Sequence, residues 1–227
     1  MQICPSMPLP TMEALVANIN KLSPFYKYFQ IDIGDGIFVS NRTVQIDDIA
    51  KNYQQINKVN SLIFDFHLMV SDFESDIKKL NELKKFINIK NIFIHYSAIR
   101  NCLPAGKPGK LEIRNLSPLP IGLTLNPEDQ VRDLTIHYPL NTIPCIQVMS
   151  VTPGVQGNPF LPKTLNKIEQ LRDLGYRKKI FLDGAVNDKT IPIINKLKYK
   201  PDVICPGSFL TKAKDLEKNV KYLENYK

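Results

Sequence analysis

The stretch QIDIGDGIFVSN, Gln30 to Asn41, alternates apolar and polar residues with the period of two expected of a strand, then turns at Asp35-Gly36. Ahead of it, Thr11 precedes Met12, Leu15, Val16 and Ile19, an i, i+3, i+4, i+7 apolar set that predicts a capped helix. Outward from this pair, short apolar runs recur at intervals of about 25 to 30 residues, with helical spacing between them. The eight runs are Gln2 to Ser6, Tyr28 to Ile33, Ser61 to His67, Asn91 to His95, Pro120 to Leu125, Cys145 to Ser150, Lys179 to Asp183 and Val203 to Pro206. Repeated βα units of this kind build a parallel sheet.

No Gly-rich dinucleotide fingerprint accompanies the units, which favours a closed barrel over an open doubly wound sheet. The expectation is one domain over residues 1–227, a TIM (β/α)8 barrel of the phosphate-binding type. Ser71-Asp-Phe-Glu74 reads as a capping box opening the third helix. Leu165, Ile168 and Leu171 form the inner stripe of the sixth helix, and Leu216, Val220 and Leu223 that of the last. The fourth unit differs: Ala98 to Leu119 holds Pro104, Gly106, Pro108 and Gly109, so a loop with at most short helical pieces is expected there.

Hydrophobic content of 43% and charged content of 23% suit a globular chain, and no run reaches the roughly 18 apolar residues of a membrane helix. The opening MQICPSMPLP lacks a basic region followed by an apolar run, so it reads as a first strand, not a secretory signal. Cys4, Cys102, Cys145 and Cys205 form no C-x-x-C pair; three lie in apolar runs as expected of buried thiols, and the set fits a reducing cytoplasm. The net charge of +8 is spread along helix faces where lysines alternate with acids, as in Asp76-Ile-Lys78-Lys79 and Lys214-Asp-Leu-Glu217-Lys218. That is a solvated surface and not a nucleic-acid stripe, although its field favours an anionic small substrate.

Chemistry in a barrel gathers at the carboxyl ends of the strands. Those ends carry Ser6, Asp32 with Asp35, His67, His95, Asn126, Met149 with Ser150, Asp183, and Gly207 with Ser208. Asp32 and Asp183 belong to the second and seventh strands and can face each other across the mouth. Two such carboxylates suit proton removal from one face of a carbon and delivery to the other. Asp35-Gly36 reads as a turn. His67 can bind a metal, shuttle a proton or satisfy a carbonyl; His95 reads as structural and His137 as a surface loop residue. Gly154, Gly157, Gly184 with Ala185, and Gly207 with Ser208 cluster after the last three strands, where bare amides cradle phosphate.

The blocks Ile3-Cys-Pro-Ser6, Asp32-Ile-Gly-Asp-Gly-Ile-Phe-Val-Ser-Asn41, Asp65-Phe-His-Leu-Met-Val70, Gly122-Leu-Thr-Leu-Asn-Pro127, Met149-Ser-Val-Thr-Pro-Gly154, Asp183-Gly-Ala-Val-Asn187 and Gly207-Ser208 resemble the ribulose-phosphate 3-epimerase family, which includes the allulose-6-phosphate 3-epimerases. The resemblance runs in order over nearly the whole chain, and the fourth βα region alone departs in character. It implies interconversion of D-ribulose 5-phosphate and D-xylulose 5-phosphate through an enediolate held by one divalent ion, zinc, iron, manganese, cobalt or magnesium. By position it makes Asp32 and Asp183 the acid/base pair and metal ligands, with His67 a third ligand. Ser6 and His67 would contact substrate, Met69 and Met149 would pack beside the intermediate, and the glycine loops would hold the phosphate. A homo-oligomer is also implied.

The family pattern His-x-Asp-x-Met-Asp-Gly-His-Phe appears here as Gln30-Ile-Asp-Ile-Gly-Asp-Gly-Ile-Phe38. Gln30 thus stands at the fourth ligand position, Gly34 replaces a methionine and Ile37 a histidine. A carboxamide oxygen is a weaker ligand than imidazole for a transition metal and suits harder ions. Two other readings stay open: a sugar-phosphate-binding barrel with impaired catalysis, and a 3-epimerase of a ketohexose 6-phosphate.

Overall fold

The computed structural model describes residues 1–102, 115–154 and 157–226, with the side chains of 101 and 102 left aside. In chain order the elements are β1 (Gln2–Ile3), β2 (Ser6–Met7), α1 (Met12–Leu22), β3 (Tyr28–Gly34), α2 (Ile46–Asn52), β4 (Ile63–Met69), α3 (Phe73–Leu83), β5 (Asn88–His95), α4 (Tyr96–Cys102), β6 (Ile121–Leu125), α5 (Val131–His137), β7 (Cys145–Met149), α6 (Asn166–Asp173), β8 (Lys179–Asp183), α7 (Ile191–Ile194), β9 (Val203–Cys205), α8 (Ser208–Thr211) and α9 (Leu216–Glu224).

Every strand pair is parallel, in the order β1-β9-β8-β7-β6-β5-β4-β3-β2. The expected first strand is therefore two pieces, β1 against β9 and β2 against β3. The break falls at Pro5, which has no N–H to give to a ladder. Its carbonyl still accepts from Gln30 N at 2.9 Å, while Cys4 N and Ser6 N donate to Ile204 O and Pro206 O at 3.0 and 3.2 Å. These bonds carry the sheet around the gap and close the (β/α)8 barrel.

Period-two alternation splits the apolar residues into two sets. Ile31, Ile33, Leu15, Ile19, Leu80, Leu171 and their neighbours fill the layer between sheet and helices. Cys4, Tyr28, Phe93, Cys145, Phe181, Val203 and Cys205 pack inside the barrel, with Phe93 edge-on to Phe181 at 4.9 Å. The three described cysteines are thus buried thiols, as expected; the side chain of Cys102 lies outside the described residues. Within the barrel Asp65 accepts from Tyr28 Oη and from Asn91 N and Nδ2, the latter two at 3.0 and 2.9 Å. Burial pushes its carboxyl up to about 7 despite these donors.

Thr11 caps α1 by accepting from Ala14 N at 3.2 Å, a contact of a kind worth about 1 kcal/mol. The expected Ser71–Glu74 capping box does not form. Asp72 caps α3 instead, accepting from Ser75 N, because Ser71 gives both its amide and its hydroxyl to Asp35 Oδ2 at 2.7 Å. His137 likewise ends α5 and does not sit in a loop. In the fourth unit α4 is a short helix; the prolines and glycines at 104–109 lie outside the described residues. Among the described residues no helix is long and apolar enough to cross a membrane.

Candidate active site

The same alternation that buries Ile31 and Ile33 under the helices turns Gln30 and Asp32 into the barrel. On β4, β7 and β8, His67 and Met69, Gln147 and Met149, and Asp183 point the same way, with Asp32 in register with His67 and Met149 with Asp183. At the carboxyl ends of the strands lies a cavity of about 370 Å³. Ser6, Asp32, His67, Met69, Met149 and Asp183 line it, as do Gly154, Gly157, Gly184, Ala185, Gly207 and Ser208. Gln30 sits beneath it, fully buried.

Asp32, His67 and Asp183 are nearly inaccessible to solvent. His67 Nδ1 is 3.1 Å from Asp32 Oδ1 and 3.7 Å from Asp183 Oδ2. Gln30 Nε2 donates to both carboxylates, to Asp32 Oδ1 at 2.8 Å and Asp183 Oδ2 at 2.6 Å. Gln147 Nε2 adds a second donor nitrogen to the cluster, 3.1 Å from Asp183 Oδ2. Burial, reinforced by the neighbouring charge of Asp32, pushes the Asp183 carboxyl well above the usual carboxylate range, which suits it to carry a proton.

Asp35 does not enter the cavity. Its Oδ1 accepts from Ile37 N and Phe38 N at 2.8 Å, which shapes the turn as expected, and Gly36 takes a positive φ of 79°. The turn swings Val39, Asn41 and Thr43 over the cavity and lays Phe38 against His95, ring centroids 5.0 Å apart. Thr43 Oγ1 donates to Asp32 O at 2.7 Å and fixes the strand end.

The glycine loops form the opposite wall. Gly184 has φ 106°, and a Cβ there would lie 2.7 Å from Val151 Cγ2; at Gly207 it would lie 2.9 Å from Ser6 Oγ. Side chains are thereby kept off the wall, leaving backbone amides for an anion. Ala185 adopts φ 50°, a left-handed conformation uncommon for a non-glycine residue. Its carbonyl accepts from Asn187 Nδ2 and Thr190 Oγ1 at 2.9 and 2.7 Å, which hold the turn. Val155 and Gln156 lie outside the described residues. Among the described residues Lys189 is the one Lys or Arg lining the cavity.

Asp32, His67 and Asp183 offer one ligand atom each, all within 4.8 Å of one another. Two carboxylates and an imidazole fit a divalent cation of the transition series, and the cavity above leaves further positions open to water or substrate. Gln30 can add its Oε1 by turning its amide; as placed, it presents nitrogen to the carboxylates and Oε1 toward Cys205 Sγ at 3.7 Å.

Sequence reading missed Gln147 and the link from His67 through His95 to Asn126. Period-two counting back from Met149 puts Gln147 on the inner face, so that signal was available. The histidine link needed the pairing of β4, β5 and β6 in space.

A closed parallel barrel with buried carboxylates and a glycine-lined cavity at the carboxyl ends of its strands defines a barrel of the TIM type. The chain belongs to the ribulose-phosphate 3-epimerase family, an isomerase family whose profile it matches over residues 2–210. It is 30% identical over 202 residues to the ribulose-phosphate 3-epimerase of Methanocaldococcus jannaschii, covering 86% of this chain and 77% of that one. To the Helicobacter pylori enzyme of the same name it is 29% identical over 231 residues, covering 99% and 97%. Among solved structures, 3-hexulose-6-phosphate synthase from Salmonella typhimurium shares the fold, with TM-score 0.66 at 12% identity and 99% and 97% coverage. KGPDC from Streptococcus mutans, solved in complex with D-R5P, matches with TM-score 0.63 at 12% identity, covering 98% and 95%.

Proposed function

We propose that the chain interconverts D-ribulose 5-phosphate and D-xylulose 5-phosphate by proton transfer at carbon 3 between the substrate and the Asp32–Asp183 pair. One observation carries this reading: carboxylates from two separate staves converge on a single amide nitrogen, at 2.8 and 2.6 Å, beside a wall of bare glycine backbone. That wall and the two carboxylates line one cavity, so a ketopentose phosphate held by its phosphate would lie beside them.

One carboxylate takes the carbon 3 proton and leaves an enediolate; the other returns a proton to the opposite face, which inverts the centre. Burial and the neighbouring Asp32 charge raise the proton affinity of Asp183, which suits it to return the proton, and the roles exchange in the reverse direction. Gln30 and Gln147 keep their donors on Asp183 and orient it. Met69 and Met149 provide apolar walls that exclude water and so strengthen the electrostatics inside. A divalent ion held by Asp32, His67 and Asp183 would supply positive charge for the enediolate oxygens. The reading carries with it a cytoplasmic homo-oligomer, which cell fractionation and size-exclusion chromatography test.

The test is exchange in deuterated water. Purified protein is given ribulose 5-phosphate with zinc, iron, manganese, cobalt or magnesium in turn, and carbon 3 is followed by proton NMR. Loss of the carbon 3 proton together with formation of xylulose 5-phosphate is expected. Binding with no exchange under any ion overturns the reading in favour of a sugar-phosphate-binding barrel. Faster turnover of a ketohexose 6-phosphate assigns the longer substrate.

A further inference from the structure

His67 uses both of its ring nitrogens. Nδ1 faces the two carboxylates, and Nε2 lies 2.8 Å from His95 Nε2. Two ring nitrogens this close share one proton, so one histidine donates and the other accepts. The far side of His95 decides which. His95 Nδ1 lies 2.8 Å from Asn126 Oδ1, an oxygen that can only accept, so His95 is protonated at Nδ1. A neutral His95 then presents a lone pair at Nε2, and His67 fills it with Nε2–H. With a cation bound, that leaves the Nδ1 lone pair of His67 aimed where Asp32 and Asp183 converge.

We propose that Asn126 and His95 are positioning residues that fix the His67 tautomer, so that Nδ1 is the atom it offers to a divalent cation. The inference rests on the metal reading given above and extends it beyond the ligands themselves.

Asn126 is held with its oxygen toward His95 and its amide nitrogen toward Ser97. Its Nδ2 donates to Ser97 Oγ at 3.0 Å, and its backbone N donates to Asp129 Oδ2 at 2.8 Å. The Lys167 ammonium, almost fully buried, donates to Asn126 O, Pro127 O and Asp129 O at 2.7, 2.8 and 2.6 Å. All three of its protons are spent on one loop, the loop that carries Asn126. A buried cation so committed is costly unless the carbonyls stay in place, which makes the loop rigid. His95 is wholly buried, and Phe38 covers its ring, so no water replaces either partner. Partners of this kind orient a ligating imidazole, and their loss weakens metal binding.

The experiment reads tautomers and affinity, not turnover. In nitrogen-15 spectra of the zinc-loaded full chain, His67 is expected to bind zinc through Nδ1 with Nε2 protonated, and His95 to be protonated at Nδ1. Asn126→Leu should weaken zinc binding by about 10- to 100-fold. Asn126→Asp keeps an acceptor for His95 and can accept from the Ser97 hydroxyl, so its zinc affinity should stay within a few-fold of wild type. Zinc on His67 Nε2, or a folded Asn126→Leu with wild-type affinity, overturns the inference and leaves the metal reading standing. Failure of the wild-type chain to bind zinc, iron, manganese, cobalt or magnesium overturns both. The wild-type spectrum decides the question even where Asn126→Leu does not fold.

Discussion

Gln30 donates one amide nitrogen to Asp183 Oδ2 at 2.6 Å, and the same nitrogen reaches Asp32 Oδ1 at 2.8 Å. A neutral amide thus sits between two carboxylates where the family resemblance places an imidazole ligand. The bridge stabilises the negative pair without a cation, and it has to turn before its oxygen can join one. Gln30→His supplies a softer, better ligand at the same point. Zinc affinity, measured by competition with a chromogenic chelator, should rise roughly tenfold or more, since imidazole suits zinc where a carboxamide does not. An unchanged affinity would mean that this position lies outside the cation's reach.

The acid/base pair separates from the anion wall in a simple way. Asp32→Asn and Asp183→Asn each remove a proton carrier and leave Gly154, Gly184 and Gly207 in place. Turnover of ribulose 5-phosphate should fall by about 10²–10⁴-fold in each variant, with KM changed little. A variant that keeps more than a tenth of wild-type turnover removes its residue from the mechanism.

The barrel was legible because its unit repeats. Lys179–Asp183 appears as expected, and the Tyr28 to Ile33 run extends by one residue to Gly34. The carboxylates were legible because each lies at or near the carboxyl end of its strand, where a barrel turns side chains toward its mouth. What escaped depends on contacts between distant segments. Ser71 has the spacing of a helix cap, yet Asp35, far away in sequence, captures it and Asp72 takes over. His95 reads alone as a satisfied core histidine; only the pairing of β5 with β4 and the approach of Asn126 give its ring a direction. Gln147 sits inside an apolar run, and its amide gains meaning once Asp183 stands beside it.

Asp65 gives a pH signature of the fold that is independent of the cavity. Burial raises its carboxyl from 3.8 to about 7 in the folded chain, with Tyr28 and Asn91 opposing the shift. A raised folded value means that the unfolded chain releases this proton first. The stability it contributes is complete below about pH 4 and is lost as pH rises through about 7. Asp65→Asn removes the titration while retaining an oxygen for Asn91. Its urea unfolding free energy should therefore vary less between pH 4 and pH 7.5 than that of the wild type. Equal slopes would show that Asp65 is ionised throughout.

Two glycines with positive φ separate backbone strain from wall geometry. Gly175 has φ 88° with nothing within 4 Å of a Cβ, whereas Gly184 has φ 106° and a Cβ there meets Val151 Cγ2 at 2.7 Å. Gly175→Ala carries the backbone cost alone, roughly 1 kcal/mol. Gly184→Ala adds the clash with Val151, and for a chain of this size each kcal/mol lowers Tm by about 2–4 °C. Thermal unfolding should therefore rank wild type above Gly175→Ala and Gly175→Ala above Gly184→Ala. The decisive readout is inhibition by inorganic phosphate. It should weaken in Gly184→Ala, whose wall is displaced toward the anion, and stay at the wild-type value in Gly175→Ala, which lies outside the cavity lining. If both variants bind phosphate like the wild type, the anion does not rest on the Gly184 backbone and the orientation of the sugar phosphate in the cavity has to be reversed.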